Sequence, residues 1–221
     1  MTRAARTLDL RAHPEADLTD VVEHARSGGV VAYPTETVYG LGGACTAAGA
    51  RAVEALKGRS EDKPLIALVP SIESVEGLGW TDAARELAAI FWPGALTLVL
   101  ADPGRIFPTG VRDVRRGTVG VRVTSHPIAA RLVEALGGPL TSTSLNEPGA
   151  TPAMSGSDAR AVLDRLGARD AWLLDGGTLA RSGPSTVVDC TGAEPAVVRE
   201  GVIPIGRLRC AIPEIHGTTA T

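Results

Sequence analysis

Apolar residues recur at helical spacing in five segments of the chain. Between residues 18 and 27 they fall at every third or fourth position, and a Gly-Gly pair then ends the pattern. Thr81 and Ser157 are candidate N-terminal caps for two of the later segments. The spacing therefore predicts helices over residues 18–27, 47–57, 82–91, 126–138 and 157–166.

Short apolar runs that end at Pro, Gly or charged residues predict strands between and after these helices. The runs read GVVAYP, PLIALVP, ALTLVLA, TVGVRV, PLTSTSLN, AWLLDGG, STVVDC and PAVVRE. Helices alternate with strands early in the chain, and strands cluster late. This order predicts an α/β fold with a twisted sheet of mixed parallel and antiparallel strands, flanked by helices.

The pattern also predicts how the chain is divided. Residues 18–208 are expected to form one domain, after an N-terminal extension over residues 1–17. Residues 102–117 are rich in Gly, Pro and Arg and are predicted to form a loop. Residues 209–221 are expected to be a frayed tail.

Composition and charge exclude several classes of protein. The 221 residues include 22 Lys and Arg against 25 Asp and Glu, a net charge of −3, which argues against nucleic-acid binding by bulk charge alone. The three cysteines are far apart and form no CxxC pair, which is typical of a reduced cytosolic protein without a zinc site or disulfide. The absence of a long apolar run predicts a soluble cytoplasmic protein with no membrane partner.

Common catalytic fingerprints are also missing. The chain contains no GxxxxGK[ST], GxGxxG, HExxH or GxSxG. If the protein is an enzyme, its chemistry is therefore expected to be polar and electrostatic, without a metal-bound nucleophile or a serine triad.

Three candidate sites for ligand binding lie between residues 33 and 122. YPTETVYGLGG, residues 33–43, places hydroxyls and Glu36 between Pro and Gly, and it could equally be a plain connection with a Thr cap. Lys57 and Arg59, followed by Lys63, could converge on a polyphosphate or form a solvated charged run. Arg122 shares a strand face with a glycine, which leaves room for a ligand unless the strand is an ordinary half-exposed one.

Two further candidates come from the second half. Ser142, Ser144 and Asn146 have the same parity, so they would present small hydrogen-bonding groups on one face, either to a ligand or along a polar edge strand. Ser185 opens a strand at GPSTVVD, and Arg199 follows in PAVVREG. Either of these two residues could be structural.

Eight of these segments, taken in order, resemble the YrdC/Sua5 family of L-threonylcarbamoyladenylate synthases. They read YPTETVYGLG, KGR, PLIALV, WPGALTLVL, VGVRV-x-x-HP, STSLN, GPSTVVD and VREGVIP, and they span roughly residues 18–208. The resemblance is to the short, single-domain form. It implies a concave basic cleft and the joining of ATP, L-threonine and bicarbonate or CO2 into L-threonylcarbamoyl-AMP with release of pyrophosphate. That reaction is the first step of N6-threonylcarbamoyladenosine modification at position 37 of tRNA.

The resemblance also implies roles for individual residues. Those expected to contact threonine are Thr35, Arg122, Ser142 and Ser185. Those expected to contact ATP are Lys57, Arg59, Lys63, Thr118, Ser144, Asn146 and Arg199. The catalytic set would be Lys57, Arg59, Ser144 and Asn146, with Mg²⁺ carried on the ATP phosphates and no protein ligand for the metal. The sequence departs from the family pattern at Leu68 (often His), at Ala44 (often Asp), at Ser60 (often Pro) and in SLNEPG (usually SANxSG).

Partners and alternatives follow from the same resemblance. The product would pass to a transferase complex of the TsaD, TsaB and TsaE type, and weak binding of tRNA or double-stranded RNA is conceivable within the fold. One alternative is a double-stranded RNA-binding module without catalysis. Another is a carbamoyl-transfer domain of hydrogenase maturation, which acts on carbamoyl phosphate.

Overall fold

The computed structural model describes residues 5–58, 63–180 and 182–217. Its helices confirm the spacing of apolar residues. They are α1 Thr19–Arg26, α2 Ala47–Lys57, α3 Asp82–Phe91, α4 Pro127–Leu136, α5 Gly156–Arg165 and α6 Ile205–Ala211, with one 3-10 turn at Glu73–Val75. Within these ranges no helix is long and apolar enough to cross a membrane.

The strands of the described ranges form one sheet. They are β1 Arg6–Asp9, β2 Val31–Pro34, β3 Tyr39–Gly42, β4 Ile66–Leu68, β5 Leu96–Ala101, β6 Arg112–Asp113, β7 Thr118–Arg122, β8 Leu140–Ser144, β9 Trp172–Asp175, β10 Thr186–Asp189 and β11 Ala196–Arg199. Their order is β1-β9-β2-β3-β8-β4-β7-β5-β10-β11, with β6 paired to β7.

Both strand directions occur along the sheet. Parallel pairs are β1–β9, β2–β9, β4–β7 and β5–β10, and the remaining pairs, including β3–β8 and β8–β4, are antiparallel. The predicted mixed α/β fold is confirmed. Strand β8 lies near the middle of the order, so the predicted alternative of a polar edge strand at Ser142 and Ser144 is wrong.

Helix ends follow local capping chemistry. Thr46 and Thr81 begin α2 and α3, because each side-chain oxygen accepts a backbone N–H three residues further on. The predicted cap of α5 at Ser157 is wrong. Ser155 begins that helix and accepts from the Asp158 N–H, while Ser157 lies in the first turn with its Oγ 2.9 Å from that of Ser155.

The sheet carries a core on each side. Helices α1 and α4 pack one face, where Val21, Ala25 and Leu132 meet Val31 and Leu140. A larger core joins the other elements, including α3 and the strands β5 and β7. Full burial of one such side chain contributes roughly 1.5–3 kcal/mol. The sheet is therefore packed on both faces in the region that contains the polar residues of β7 and β8.

The first and the last described segments of the chain both belong to the folded body. Strand β1 pairs with β9, although residues 1–17 were expected to be an extension. The predicted frayed tail is wrong for residues 209–217. Leu208, Ile212 and Ile215 recur at helical spacing and are buried in the larger core, and the Val197 N–H donates to the His216 carbonyl. The spacing covers only about two turns, which is too short a pattern to recognise in sequence.

Candidate active site

A cavity of about 800 Å³ opens beside strands β3, β4, β7 and β8. Volumes of this size hold ligands as large as nucleotides. None of the described residues that line the cavity is acidic. The lining brings together six of the residues singled out in the sequence, namely Thr35, Arg122, Ser142, Ser144, Ser185 and Arg199.

The tip of the β2–β3 hairpin forms one wall. Thr35 is buried, and its Oγ1 donates to the Val38 carbonyl at 2.6 Å and accepts from the Val38 N–H at 3.2 Å. The hairpin approaches β8 very closely, since a Cβ at Gly42 would lie 1.7 Å from the Thr141 carbonyl oxygen. The segment YPTETVYGLGG is thus a hairpin, and its glycine permits the strand contact on which the cavity is built.

The end of β8 is tied to the end of α2 by a buried lysine. Lys57 Nζ donates to the Ser144 carbonyl at 3.0 Å, to Asn146 Oδ1 at 2.8 Å and also to the Asn146 carbonyl. Asn146 Oδ1 accepts a further bond from Ser144 Oγ at 2.7 Å. A buried ammonium needs such acceptors. Lys57 therefore holds Ser144 and Asn146 in fixed positions.

Arg122, at the end of β7, contributes one of the two positive charges among the described residues that line the cavity. It is 3% exposed, and its Nη2 lies 3.1 Å from Glu36 Oε1. Neither its Nε nor its Nη2 makes an aligned hydrogen bond to any residue that the structure describes. Burial lowers the pKa of Arg122 and the negative charge of Glu36 opposes that shift. Since a guanidinium stays charged in proteins, the site retains a cation with unused donors.

Arg199 contributes the second charge. Its Nε and Nη2 donate to the Ser185 carbonyl at 3.1 and 2.8 Å, and Nη2 also reaches Ser185 Oγ at 3.1 Å. Burial lowers the pKa of Arg199, and the nearby positive charge of Arg122 lowers it further. Two cations that repel each other, in a cavity whose described lining contains no acidic residue, favour an anionic ligand.

The remaining predicted residues lie elsewhere. Thr118 is buried at the far end of β7, four residues from Arg122, which is about 13 Å in a strand, and it does not line the cavity. Lys63 is exposed and precedes Pro64, which does line the cavity. Arg59 lies outside the described residues.

Sequence reasoning missed some of the cavity wall. Thr37 and Ser182 line the cavity, and Ser182 Oγ donates to the Thr37 carbonyl at 2.8 Å. This bond ties the loop before β10 to the hairpin tip. The alternation of hydroxyls in TET could have indicated Thr37. Ser182 belongs to no alternating pattern of hydroxyl residues, so no local signal in the sequence indicates it.

The fold and the cavity together define an α/β protein with a cavity at the centre of a mixed sheet, lined by two arginines among the described residues. Comparison with known proteins gives the family. The family model Sua5_yciO_yrdC, described as telomere recombination, matches residues 23–201, and the chain belongs to this family.

Individual relatives cover most of the chain. A putative threonylcarbamoyl-AMP synthase of Mycobacterium tuberculosis (strain H37Rv) is 37% identical over 207 residues, which is 92% of this chain and 90% of the relative. Escherichia coli YciO, called an uncharacterized protein, is 34% identical over 202 residues, 84% of this chain and 89% of the relative.

A solved structure agrees with this assignment. The crystal structure of Pyrococcus abyssi Sua5 complexed with L-threonine has a TM-score of 0.83 and 31% identity. The match covers 98% of this chain but 63% of the archaeal chain, so that protein extends well beyond the shared domain.

Proposed function

We propose that this protein is an L-threonylcarbamoyl-AMP synthase, which joins ATP, L-threonine and bicarbonate or CO2 and releases pyrophosphate. The observation that carries the proposal is Arg122, a buried cation with unpartnered N–H groups in a cavity that Ser142, Ser185 and Arg199 also line. Support comes from the mycobacterial relative, whose name states this activity, and from the Sua5 structure that holds L-threonine.

The amino acid would bind at the Arg122 end of the cavity. An arginine edge with free N–H donors matches a carboxylate, which it can hold through two charge-assisted hydrogen bonds. Thr35 and Ser142 lie beside it in the lining and offer hydroxyl oxygens to the rest of the amino acid. This arrangement leaves the amine free to react with CO2 and form a carbamate.

The nucleotide would bind at the Ser144 and Arg199 side. In the proposed step a carbamate oxygen forms a bond to the α-phosphorus, and the bond to the leaving pyrophosphate breaks. This makes the enzyme a nucleotidyltransferase. Arg199, together with Arg59, would stabilise the charge that builds on the phosphoryl oxygens. ATP would enter with Mg²⁺ on its phosphates, which neutralises part of their charge.

Lys57 has a different part in this proposal. Its ammonium is bound by oxygens of Ser144 and Asn146, so we assign it the placement of these two residues rather than a direct contact with phosphate. Lys63 and Thr118 remain predicted ATP contacts, but neither lines the cavity.

The decisive experiment measures pyrophosphate release by the purified protein, with mass spectrometry of the product. Release that requires ATP, threonine and bicarbonate together, with L-threonylcarbamoyl-AMP as product, is the expected result. The absence of threonine-dependent release would overturn the proposal. Turnover of carbamoyl phosphate without threonine would instead support the carbamoyl-transfer alternative, and affinity for double-stranded RNA without turnover would support the binding module.

The surroundings of the reaction follow from its chemistry. An acyl-adenylate is reactive, so a transferase of the TsaD type, with its TsaB and TsaE partners, would consume it to modify tRNA. Because ATP and tRNA are both cytoplasmic, we assign the protein to that compartment.

A further inference from the structure

Glu36 contacts the cavity arginine without lining the cavity itself. The residue lies at the tip of the β2–β3 hairpin, and its side chain is 17% exposed. Its carboxylate meets Arg122, while the described lining of the cavity includes its neighbours Thr35 and Thr37 but not Glu36. A ligand in the cavity would therefore meet Arg122 and not the carboxylate.

A second residue fixes the direction of the Glu36 carboxylate. Glu36 Oε2 accepts from Thr124 Oγ1 at 2.6 Å, and Thr124 is 4% exposed. The Thr124 hydroxyl oxygen also accepts from the backbone N–H of His126, the residue that caps α4. The carboxylate is thus connected to a helix end on one side and to Arg122 on the other.

The contact between Glu36 and Arg122 does not use up the guanidinium. Among the described residues, Arg122 Nε and Nη2 and Glu36 Oε1 all lack an aligned hydrogen bond, although Nη2 and Oε1 are 3.1 Å apart. The pair is held mainly by charge, and the Arg122 Nε–H has no acceptor among the described residues. The positive charge of Arg122 lowers the pKa of Arg199, so the two guanidinium groups repel each other. Without the Glu36 carboxylate, this repulsion would push the two groups apart.

We propose that Glu36, oriented by Thr124, is a positioning residue that holds the Arg122 guanidinium where it receives the carboxylate of the amino-acid substrate. The inference rests on the proposed function. It makes Glu36 and Thr124 determinants of amino-acid affinity rather than of the chemical step. Neither residue touches the nucleotide side of the cavity in this arrangement.

Glu36→Gln tests the proposal by removing the charge and keeping an oxygen for Thr124. The expected result is a rise of about tenfold in KM for threonine, with kcat and KM for ATP changed by less than about twofold. Glu76→Gln is the matched control, because Glu76 pairs with Arg85 at the surface, also at 3.1 Å. Unchanged KM for threonine in a folded Glu36→Gln protein would overturn the proposal, even if its melting temperature falls.

Thr124→Val provides a second test that leaves every charge in place. Loss of the hydroxyl should raise KM for threonine by about threefold. Thr191→Val is its control, since the Thr191 hydroxyl donates to Asp189 Oδ1 at the same 2.6 Å. If Glu36→Gln does not fold, an unchanged KM in Thr124→Val overturns the proposal by itself.

The double variant identifies the route of the effect. If Thr124 acts through Glu36, adding Thr124→Val to Glu36→Gln should raise KM for threonine by less than about 1.5-fold further, whereas independent effects would multiply. The wild-type protein distinguishes a failure of the proposed function from a failure of the role of Glu36. If the wild-type protein does not use threonine, the proposed function is rejected. If the wild-type protein turns over normally and the variants have the same KM for threonine, only the role of Glu36 is rejected.

Discussion

Two arginine–glutamate pairs in this protein have the same separation and very different surroundings. Arg122 and Glu36 approach to 3.1 Å beside the cavity, with side-chain exposures of 3% and 17%. Arg85 and Glu76 also approach to 3.1 Å, but their side chains are 47% and 54% exposed. The exposed pair has the better geometry, with hydrogen bonds of 3.1 and 3.2 Å from both Nη atoms.

From this difference we expect burial, more than bond geometry, to decide what each ion pair contributes to stability. Water solvates Arg85 and Glu76 whether or not they meet, so their attraction adds little to stability. Arg122 and Glu36 have little access to water, so removal of either partner leaves a charge without compensation. The donors that Arg122 leaves unused are costly in an empty protein and are the ones that a bound anion would satisfy.

The largest effect is expected from Arg122→Met. This change removes the buried cation and leaves the Glu36 carboxylate with only the Thr124 hydroxyl. We expect the free energy of unfolding to fall by about 3 kcal/mol, as measured by urea denaturation. Threonine-dependent pyrophosphate release should fall by at least about 100-fold. A loss of stability no larger than that of Glu76→Gln would break the comparison.

Asn146→Ala extends the comparison to the buried cation Lys57. The change removes the Oδ1 atom that accepts from both Lys57 Nζ and Ser144 Oγ. The free energy of unfolding should fall by about 2 kcal/mol, because a buried ammonium loses a charge-assisted bond. Asn146→Asp keeps the Oδ1 acceptor and, like Asn146→Ala, loses the bonds from Nδ2 to the Glu147 and Ala150 carbonyls, so it serves as the control in the same denaturation series. Equal stability of the two variants would show that Lys57 does not depend on this side chain.

The pH dependence of unfolding sharpens the comparison at His126, next to Thr124. Burial lowers the pKa of His126, although the charge of Glu36 opposes the shift. The unfolded chain then binds the proton more readily, so stability is lost as the pH falls below the ordinary histidine pKa of about 6.5. The free energy of unfolding should therefore decline between about pH 7.5 and about pH 5.5.

His126→Asn tests that assignment, because asparagine can still cap α4. In this variant the free energy of unfolding should depend less strongly on pH than in the wild-type protein. A remainder is expected from His24, whose pKa is also lowered by burial and by the charge of Arg6. A profile that does not change would contradict the role of His126.

The smallest effect is expected from Glu76→Gln. The exposed pair should contribute less than about 0.5 kcal/mol to the free energy of unfolding, and that share should shrink further in high salt. Turnover should not change, since Glu76 lies outside the cavity. A stability loss as large as that of Arg122→Met would mean that the exposure of the pair had no influence.

Prediction from sequence succeeded where a short segment contains all the information. Thr81 caps α3, and the helix ends at Phe91 as predicted, because capping and apolar spacing act within a few residues. It failed where two caps compete, since Ser155 and Ser157 are equivalent by residue type and only the backbone decides between them. It also failed for Ile212 and Ile215, whose burial depends on a distant core.

The residues of the candidate site also fall into those that a local sequence pattern predicts and those that it does not. Parity along β8 anticipated that Ser142 and Ser144 share a face, and both line the cavity. Thr118 was expected from the family resemblance and has the same parity as Arg122, but the described lining of the cavity does not extend along β7 to that end. The contact of Lys57 with Asn146 joins a helix end to a strand end, and no local pattern predicts such a contact.

The amino-acid sequence by itself therefore determined most of the elements, the mixed α/β class and six of the described residues that line the cavity. Only the tertiary structure decided their partners: that Glu36 and Thr124 stand behind Arg122, and that Lys57 is bound to Ser144 and Asn146. The physical reason is that spacing and capping depend on neighbours in the chain. The environment of a buried charge depends on segments that the sheet brings together from far apart.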